Sequence, residues 1–309
     1  MKNSNTRQKN MMSAKRERLI FYSLGIALPL LQFFVFYLYV NINSFVLAFE
    51  KLDYQNGGYV FAGFENFKQI FLDFKATTYL QSSISNSLIL FIWSTIFGSA
   101  FAIFFSYYIY KKYPGGGLFK FILYTPHILS ETVFVLMFSF FVDNAIPELS
   151  KLWFHKEIVP PLASDLGTKM FVVMFFSIWV SFGTKVLMYS GAMSGISESI
   201  IEAGKLDGIT PLRELISVVI PMIWSTFSTF MVASVIGIFT NQMSLYTFFL
   251  DKADFSLYTF GYYLFKSVQT AQISEYPYLS AMGLLLTVIA VPLTLGVKFV
   301  FDKLEPKQV

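Results

Sequence analysis

Long apolar blocks separated by short polar connections set the pattern of this chain. Four blocks, at 19–49, 76–110, 215–250 and 276–297, contain no charged residue. Two more hold a single charge each: 121–142 around Glu131, and 170–197 around Lys185. A helix crossing the hydrocarbon core needs about 20 mostly apolar residues, and all six blocks reach that length. Solid blocks of this kind argue against a β-barrel, whose strands read as short alternating segments. The expected fold is an all-α integral membrane protein with six transmembrane helices, at about 19–45, 84–110, 119–142, 170–193, 216–241 and 276–299. A basic tail at 1–18 precedes them, a loop at 194–215 joins the fourth to the fifth, and a short tail at 302–309 follows.

The distribution of cations orients the spans. Lys2, Arg7, Lys9, Lys15, Arg16 and Arg18 precede the first span, Lys111, Lys112 and Lys120 fall in the second connection, and Lys298, Lys303 and Lys307 close the chain. The other connections mix their cations with acids. The positive-inside bias therefore puts both termini in the cytoplasm, consistent with an even number of spans. The first apolar block is longer than a signal-peptide core and lacks a small-residue cleavage site, so it reads as a retained anchor.

Composition agrees and narrows the chemistry. Of 309 residues, 55% are apolar and only 14% charged, too few charges to coat a water-facing surface. The 37 Phe and 18 Tyr suit a bilayer core with interfacial belts; Tyr258, Tyr262, Tyr263, Tyr276 and Tyr278 are expected in such a belt. Cysteine is absent and histidine occurs twice, so thiolate sites are excluded and histidine-based metal sites nearly so. A net charge of +4 is too small to argue for nucleic acid, and no phosphate-binding G-x-x-x-x-G-K-[ST] motif occurs. No cofactor or metal site is expected. In the first outward connection, Phe64, Phe67, Ile70 and Phe71 share one side of a short helix expected to lie on the lipid surface or against the bundle. In the second, Pro160-Pro161 argues against one continuous helix.

The segment between spans four and five carries the strongest local signals. Ser199 with Glu202 has capping-box spacing, and Ser197 is an equally good cap. The helix they open is expected to stop near Asp207-Gly208. Thr210-Pro211 then caps and starts a second helix, and Pro221 is expected to kink the entry to span five. The result is a short rod followed by a sharp elbow. On spacing alone, this rod reads either as a plain helical hairpin or as an element that transmits force from a cytoplasmic partner.

The same stretch resembles the cytoplasmic "EAA" loop of ABC importer permeases, through Glu202-Ala203-Gly204, Asp207-Gly208, Val218, Ile220 and Pro221. Gly204 stands where the family pattern has Ala. Trp179, Gly183, Gly191 and Ile196 fit the approach to that loop. Phe61-Ala62-Gly63-Phe64-Glu65-Asn66-Phe67, Asn86-Ser87-Leu88 and Pro126 resemble the carbohydrate-uptake permeases of the maltose and glycerol-phosphate type. The resemblance spans about residues 19–300 and implies a type I ABC importer-like fold in the bacterial cell membrane, in contact with lipid. It implies a non-catalytic subunit that pairs with a second permease, an ABC ATPase dimer and an extracytoplasmic solute-binding protein, to import a sugar or oligosaccharide. Glu198, Glu202, Ala203, Gly204, Asp207 and Gly208 become the candidate ATPase-coupling residues. The importer loop is also shared with permeases for other solutes. A stand-alone ion-coupled transporter is the competing class, but it calls for inverted repeats and paired intramembrane acids, which the chain lacks. A membrane-bound enzyme would need a cluster of acids or histidines, and none is evident.

Polar groups inside the apolar blocks supply the candidate solute pathway. Glu131 lies about twelve residues, or about 18 Å, from the inner end of a continuous third span. An acid there is a functional candidate by default. Its alternatives are a pore-facing solute contact, a structural pair with Lys185, or a protonated carboxyl, with His127 one turn away on the same face. In span five, Ser225 and Thr229 offer hydroxyls at helical spacing. Asn241, Gln242 and Tyr246 combine amides with an aromatic face, the mix a sugar needs.

Overall fold

The structure is a computed structural model and describes residues 2–306, with side chains from residue 15 onward. Among these residues, five helices are long and apolar enough to cross a membrane: Lys15–Leu47, Thr78–Tyr110, Glu131–Phe154, Leu166–Ser194 and Ile273–Lys303. A sixth candidate is a broken pair, Pro211–Met222 and Trp224–Thr240, bent by 77°. The N-terminal helix begins at Lys2, so the expected basic tail is helical and continuous with the first span. The last span runs to Lys303, and residues 307–309 of the expected C-terminal tail lie outside the described residues.

The third apolar block departs from expectation. A continuous helix over 119–142 is replaced by Gly116–Ile128, a break at Leu129 and Ser130, and a new helix from Glu131. Pro126 lies inside the first piece, where its missing amide loosens the turn before it; the break itself comes after it, where Leu129 and Ser130 turn to extended backbone. Ser130 then adopts extended backbone as N-cap, its hydroxyl accepting from Val133 N at 3.4 Å. Glu131 is thus the first residue of a helix, where its charge complements the helix dipole, and it no longer shares a helical face with His127. Asp165 starts the fourth span in the same manner, accepting from Thr168 Oγ1 at 2.7 Å and Thr168 N at 3.1 Å. Hydrogen bonding from the Thr168 hydroxyl and backbone, and from Ser164, holds the Asp165 carboxyl down to about 2.

The fifth span breaks as the sequence suggests. Pro221 follows a wide, π-type turn at Leu215–Val219, and the chain bends at Ile223. Both features mark a helix whose regular ladder is interrupted.

The chain divides into two units. Residues 1–70 with Ala271–Leu284 form the first. It contains an antiparallel hairpin, Glu50–Asp53 paired with Gly58–Phe61, which the sequence reading did not anticipate. Asn66, from the Phe61–Phe67 stretch, ties this hairpin down by donating to Ala48 O and Glu50 O at 2.9 and 2.8 Å. The helix Glu65–Ala76 forms as expected, with Ile70 buried but Phe64 and Phe71 exposed.

Residues 71–270 with 285–309 form the second unit, built around the fourth span. Two of its cores matter for function. One joins Ile103 and Tyr107 of span two to Val186, Tyr189 and Met193 of span four, and continues through Ile201, Leu215 and Val219. The other gathers Leu90, Val173, Met243, Leu245, Leu257, Tyr258 and Tyr262. Tyr258 and Tyr262 are therefore core residues rather than part of an interfacial belt. The turn that buries them is held by Asn86, which donates to Ser256 O and Tyr258 O at 2.8 and 2.9 Å. Ser87 accepts from Phe260 N at 2.8 Å.

Candidate functional site

Two places concentrate the chemistry. The first is the helix Glu198–Leu206. Ser197 occupies the N-cap position with extended backbone, but its hydroxyl pairs with that of Ser199 at 2.7 Å instead of capping an amide. Ser199 lies inside the helix, so the capping box with Glu202 does not form. The C-terminus closes as expected. Gly208 takes φ +71°, a left-handed conformation that glycine adopts without penalty. Gly208 N and Ile209 N then donate back to Lys205 O and Gly204 O at 3.0 and 3.1 Å. A Cβ on Gly204 would lie 3.2 Å from Ile209 Cγ2, so the missing methyl eases this return. Thr210 and Pro211 open the next helix at its N-cap and first position.

The helix is anchored along one edge only. Ile201 is buried in the core with Tyr107, Met193, Leu215 and Val219. Glu198, Glu202, Ala203, Lys205, Asp207 and Gly208 are exposed, and Leu206, an apolar side chain, is 90% exposed. The rod thus presents acids, a small-residue strip and one bare leucine away from its own chain.

Beneath it lies an ion pair that the sequence reading missed. Lys111, at the end of span two, reaches both Glu214 oxygens at 2.8 and 3.0 Å, and Tyr107 donates its hydroxyl to Oε1 at 3.1 Å. Glu214 is only 3% exposed. The available signal was an acid heading one charge-free block while a lysine ended another.

The second place is a cavity of about 430 Å³ lined by Glu131, Asn241, Gln242, Met243, Ser244, Tyr246, Thr247 and Phe265. Span five ends at Thr240, and Met243 and Ser244 both take left-handed backbone, at φ 51° and 53°. Strain of this kind in non-glycine residues persists only where the surroundings enforce it. Here Met243 N donates to Asn241 Oδ1 at 2.8 Å, and Thr259 Oγ1 donates to Asn241 O at 2.6 Å. Gly261 permits the crowding, since a Cβ there would meet Thr240 C at 2.6 Å and Asn241 O at 2.8 Å. The turn carries Ser244 to Glu131, donating its hydroxyl to Oε1 at 2.6 Å.

Of the six candidate pathway residues, the cavity unites Glu131, Asn241, Gln242 and Tyr246. Ser225 and Thr229 are not among its lining. The Thr229 hydroxyl donates to Ser225 O at 2.7 Å, and Ser228 donates to the same carbonyl at 3.1 Å, as hydroxyls on apolar helices commonly do. The Glu131–Lys185 pair does not form, because Lys185 Nζ points to Ser94 O at 3.5 Å. His127 Nε2 instead accepts from Thr184 N at 3.1 Å. Ser244, Thr247 and Phe265 are lining residues that sequence reasoning did not single out; Ser244 and Thr247 flank Tyr246 in the same turn, and Phe265 comes from the helix Phe260–Thr270.

Comparison with known proteins agrees with this architecture. The chain is 25% identical over 190 residues to the sn-glycerol-3-phosphate transport system permease protein UgpA of Pectobacterium atrosepticum, covering 59% of this chain and 57% of that one. It is 24% identical over 196 residues to UgpA of Yersinia pestis, covering 61% and 63%. The chain therefore spans less than two thirds of these relatives. A solved bacterial alginate ABC transporter, in complex with an alginate pentasaccharide-bound periplasmic protein, contains a chain of similar fold. The TM-score is 0.71 at 20% identity, covering 96% of this chain and 98% of that one. Residues 18–309 match the family described as "Binding-protein-dependent transport system inner membrane component". The chain is a multi-pass inner-membrane protein and belongs to that family.

Proposed function

We propose that this chain is the permease subunit of an ATP-driven importer. With a second permease it forms the path for a sugar or oligosaccharide delivered by an external binding protein. ATP is hydrolysed in a partner ATPase pair, and the subunit itself is non-catalytic. Both termini and the loop at 194–215 lie in the cytoplasm. The carrying observation is the helix Glu198–Leu206, fixed to the core by Ile201 while its acids and Leu206 face outward. A rod so anchored passes a push from an ATPase into spans two, four and five, a rigid-body transition between two packed states. Glu202 contacts a cationic ATPase residue, Ala203 and Gly204 allow close backbone approach, and Gly208 forms the elbow.

The solute path includes the cavity at Glu131, Asn241, Gln242 and Tyr246, where carboxamides, a hydroxyl and aromatic faces suit a polyhydroxylated solute. The runner-up, a non-sugar importer, has in its favour the glycerol-phosphate systems of the curated relatives. Glu202→Lys in the assembled transporter tests the coupling role. Solute-stimulated ATPase activity is expected to be abolished while membrane insertion remains normal, and normal coupled activity would overturn the assignment.

A further inference from the structure

The cavity carries a charge that the shape of a sugar site does not require. Glu131 stands at its wall, and none of the other lining residues is a lysine or arginine. The nearest cation in sequence, Lys266, is bonded to Asp251. The 2.6 Å contact from Ser244 lies in the range of a hydroxyl donating to a carboxylate. The left-handed pair Met243-Ser244 maintains that contact and keeps Glu131 at the wall. Asn241 and Gln242 complete the lining with neutral amides.

A cavity with one unpaired acid and no base repels a second anion, because a like charge at close range with no counterion is unfavourable. A phosphate or uronate entering here would also find no fork of cationic donors, the usual receptor for such groups. We propose that Glu131 is the specificity-determining residue of this cavity. It admits neutral, polyhydroxylated solutes, whose hydroxyls bond to its free lone pairs and to the Asn241 and Gln242 amides, and it rejects anionic ones. The proposal rests on the cavity being part of the solute path. It separates this chain from its glycerol-phosphate relatives and its alginate-transporting structural neighbour by the charge of the cargo.

The absence of cysteine makes a direct test possible. A single Thr247→Cys change places one thiol on the cavity wall of the full chain in its native membrane. Its reaction rates with a trimethylammonium-ethyl and a sulfonato-ethyl methanethiosulfonate are compared, each normalised to a free thiol. The cationic reagent is expected to be favoured about tenfold or more, as a nearby carboxylate would cause. Glu131→Gln should remove most of that preference, and Glu131→Asp should keep it. Equal rates, a preference for the anionic reagent, or a ratio that Glu131→Gln leaves unchanged would overturn the filter. In the same preparation, thiol modification should block solute-stimulated ATPase activity. Full activity after complete modification would remove the cavity from the solute path, while the reagent ratio would still report the filter.

Discussion

Glu214 and Glu131 each stand at the head of an otherwise apolar helical stretch, and their surroundings use them in opposite ways. Glu214 is buried and saturated: Lys111 holds both its oxygens, and Tyr107 donates to one of them. Glu131 faces a cavity and meets one hydroxyl, leaving lone pairs available to a visitor. The first carboxylate welds the end of span two to the start of span five, next to the core that receives Ile201. A rod can transmit force only if its footing is stiff, and a buried ion pair adds geometric constraint even where its net stabilisation is small. The second carboxylate is useful because it is not fully satisfied. An acid near an apolar interior is therefore read by its partners rather than by its depth.

Breaking the footing should have the largest effect. Glu214→Ala leaves Lys111 without its partner at a site where both side chains are largely covered, and is expected to lower stability by about 3 kcal/mol. Thermal unfolding of the purified chain in detergent reads this. The paired change Lys111→Met with Glu214→Leu should recover most of the loss, whereas coupled ATPase activity should recover only if stiffness alone matters. Next in size is Gly261→Ala, whose methyl would press on the Thr240 and Asn241 backbone. A loss of about 1–3 kcal/mol is expected from overpacking, with the turn bearing Ser244 displaced and the charge preference at Thr247→Cys diminished. The smallest effect sharpens the contrast between cavity-lining and helix-bonded polar groups. Thr229→Ala, together with Ser225→Ala, should shift stability by about 0.5 kcal/mol or less and leave uptake unchanged. A transport defect there would place a second polar surface on the solute path.

The rod was legible in the chain because its signals are local. Thr210-Pro211 and Asp207-Gly208 act within one turn of themselves, and their backbone conformations follow from the residues involved. The cap at Ser197 was visible too, although its side chain chose Ser199 over an amide, a choice between competing hydroxyl partners that spacing does not settle. The break before Glu131 had its own marker in Ser130, a good N-cap residue, but the apolar run around it suggested one uninterrupted span. The tyrosines at 258 and 262 suggested an interface by type. Their burial depends on Asn86 and Ser87, more than a hundred residues away, folding the turn inward.

Taken alone, the sequence determined that the chain is a bundle of membrane helices, where most of them lie, and that a capped rod and elbow separate the fourth span from the fifth. These follow from hydropathy and backbone preference, which act over one block or one turn. Only the tertiary structure decided which acid is spent on a structural pair and which is left facing a cavity. It also brought Glu131 to Ser244 across a separation of 113 positions. Contacts at that range depend on how whole helices pack and bend, and no local pattern of residues encodes them.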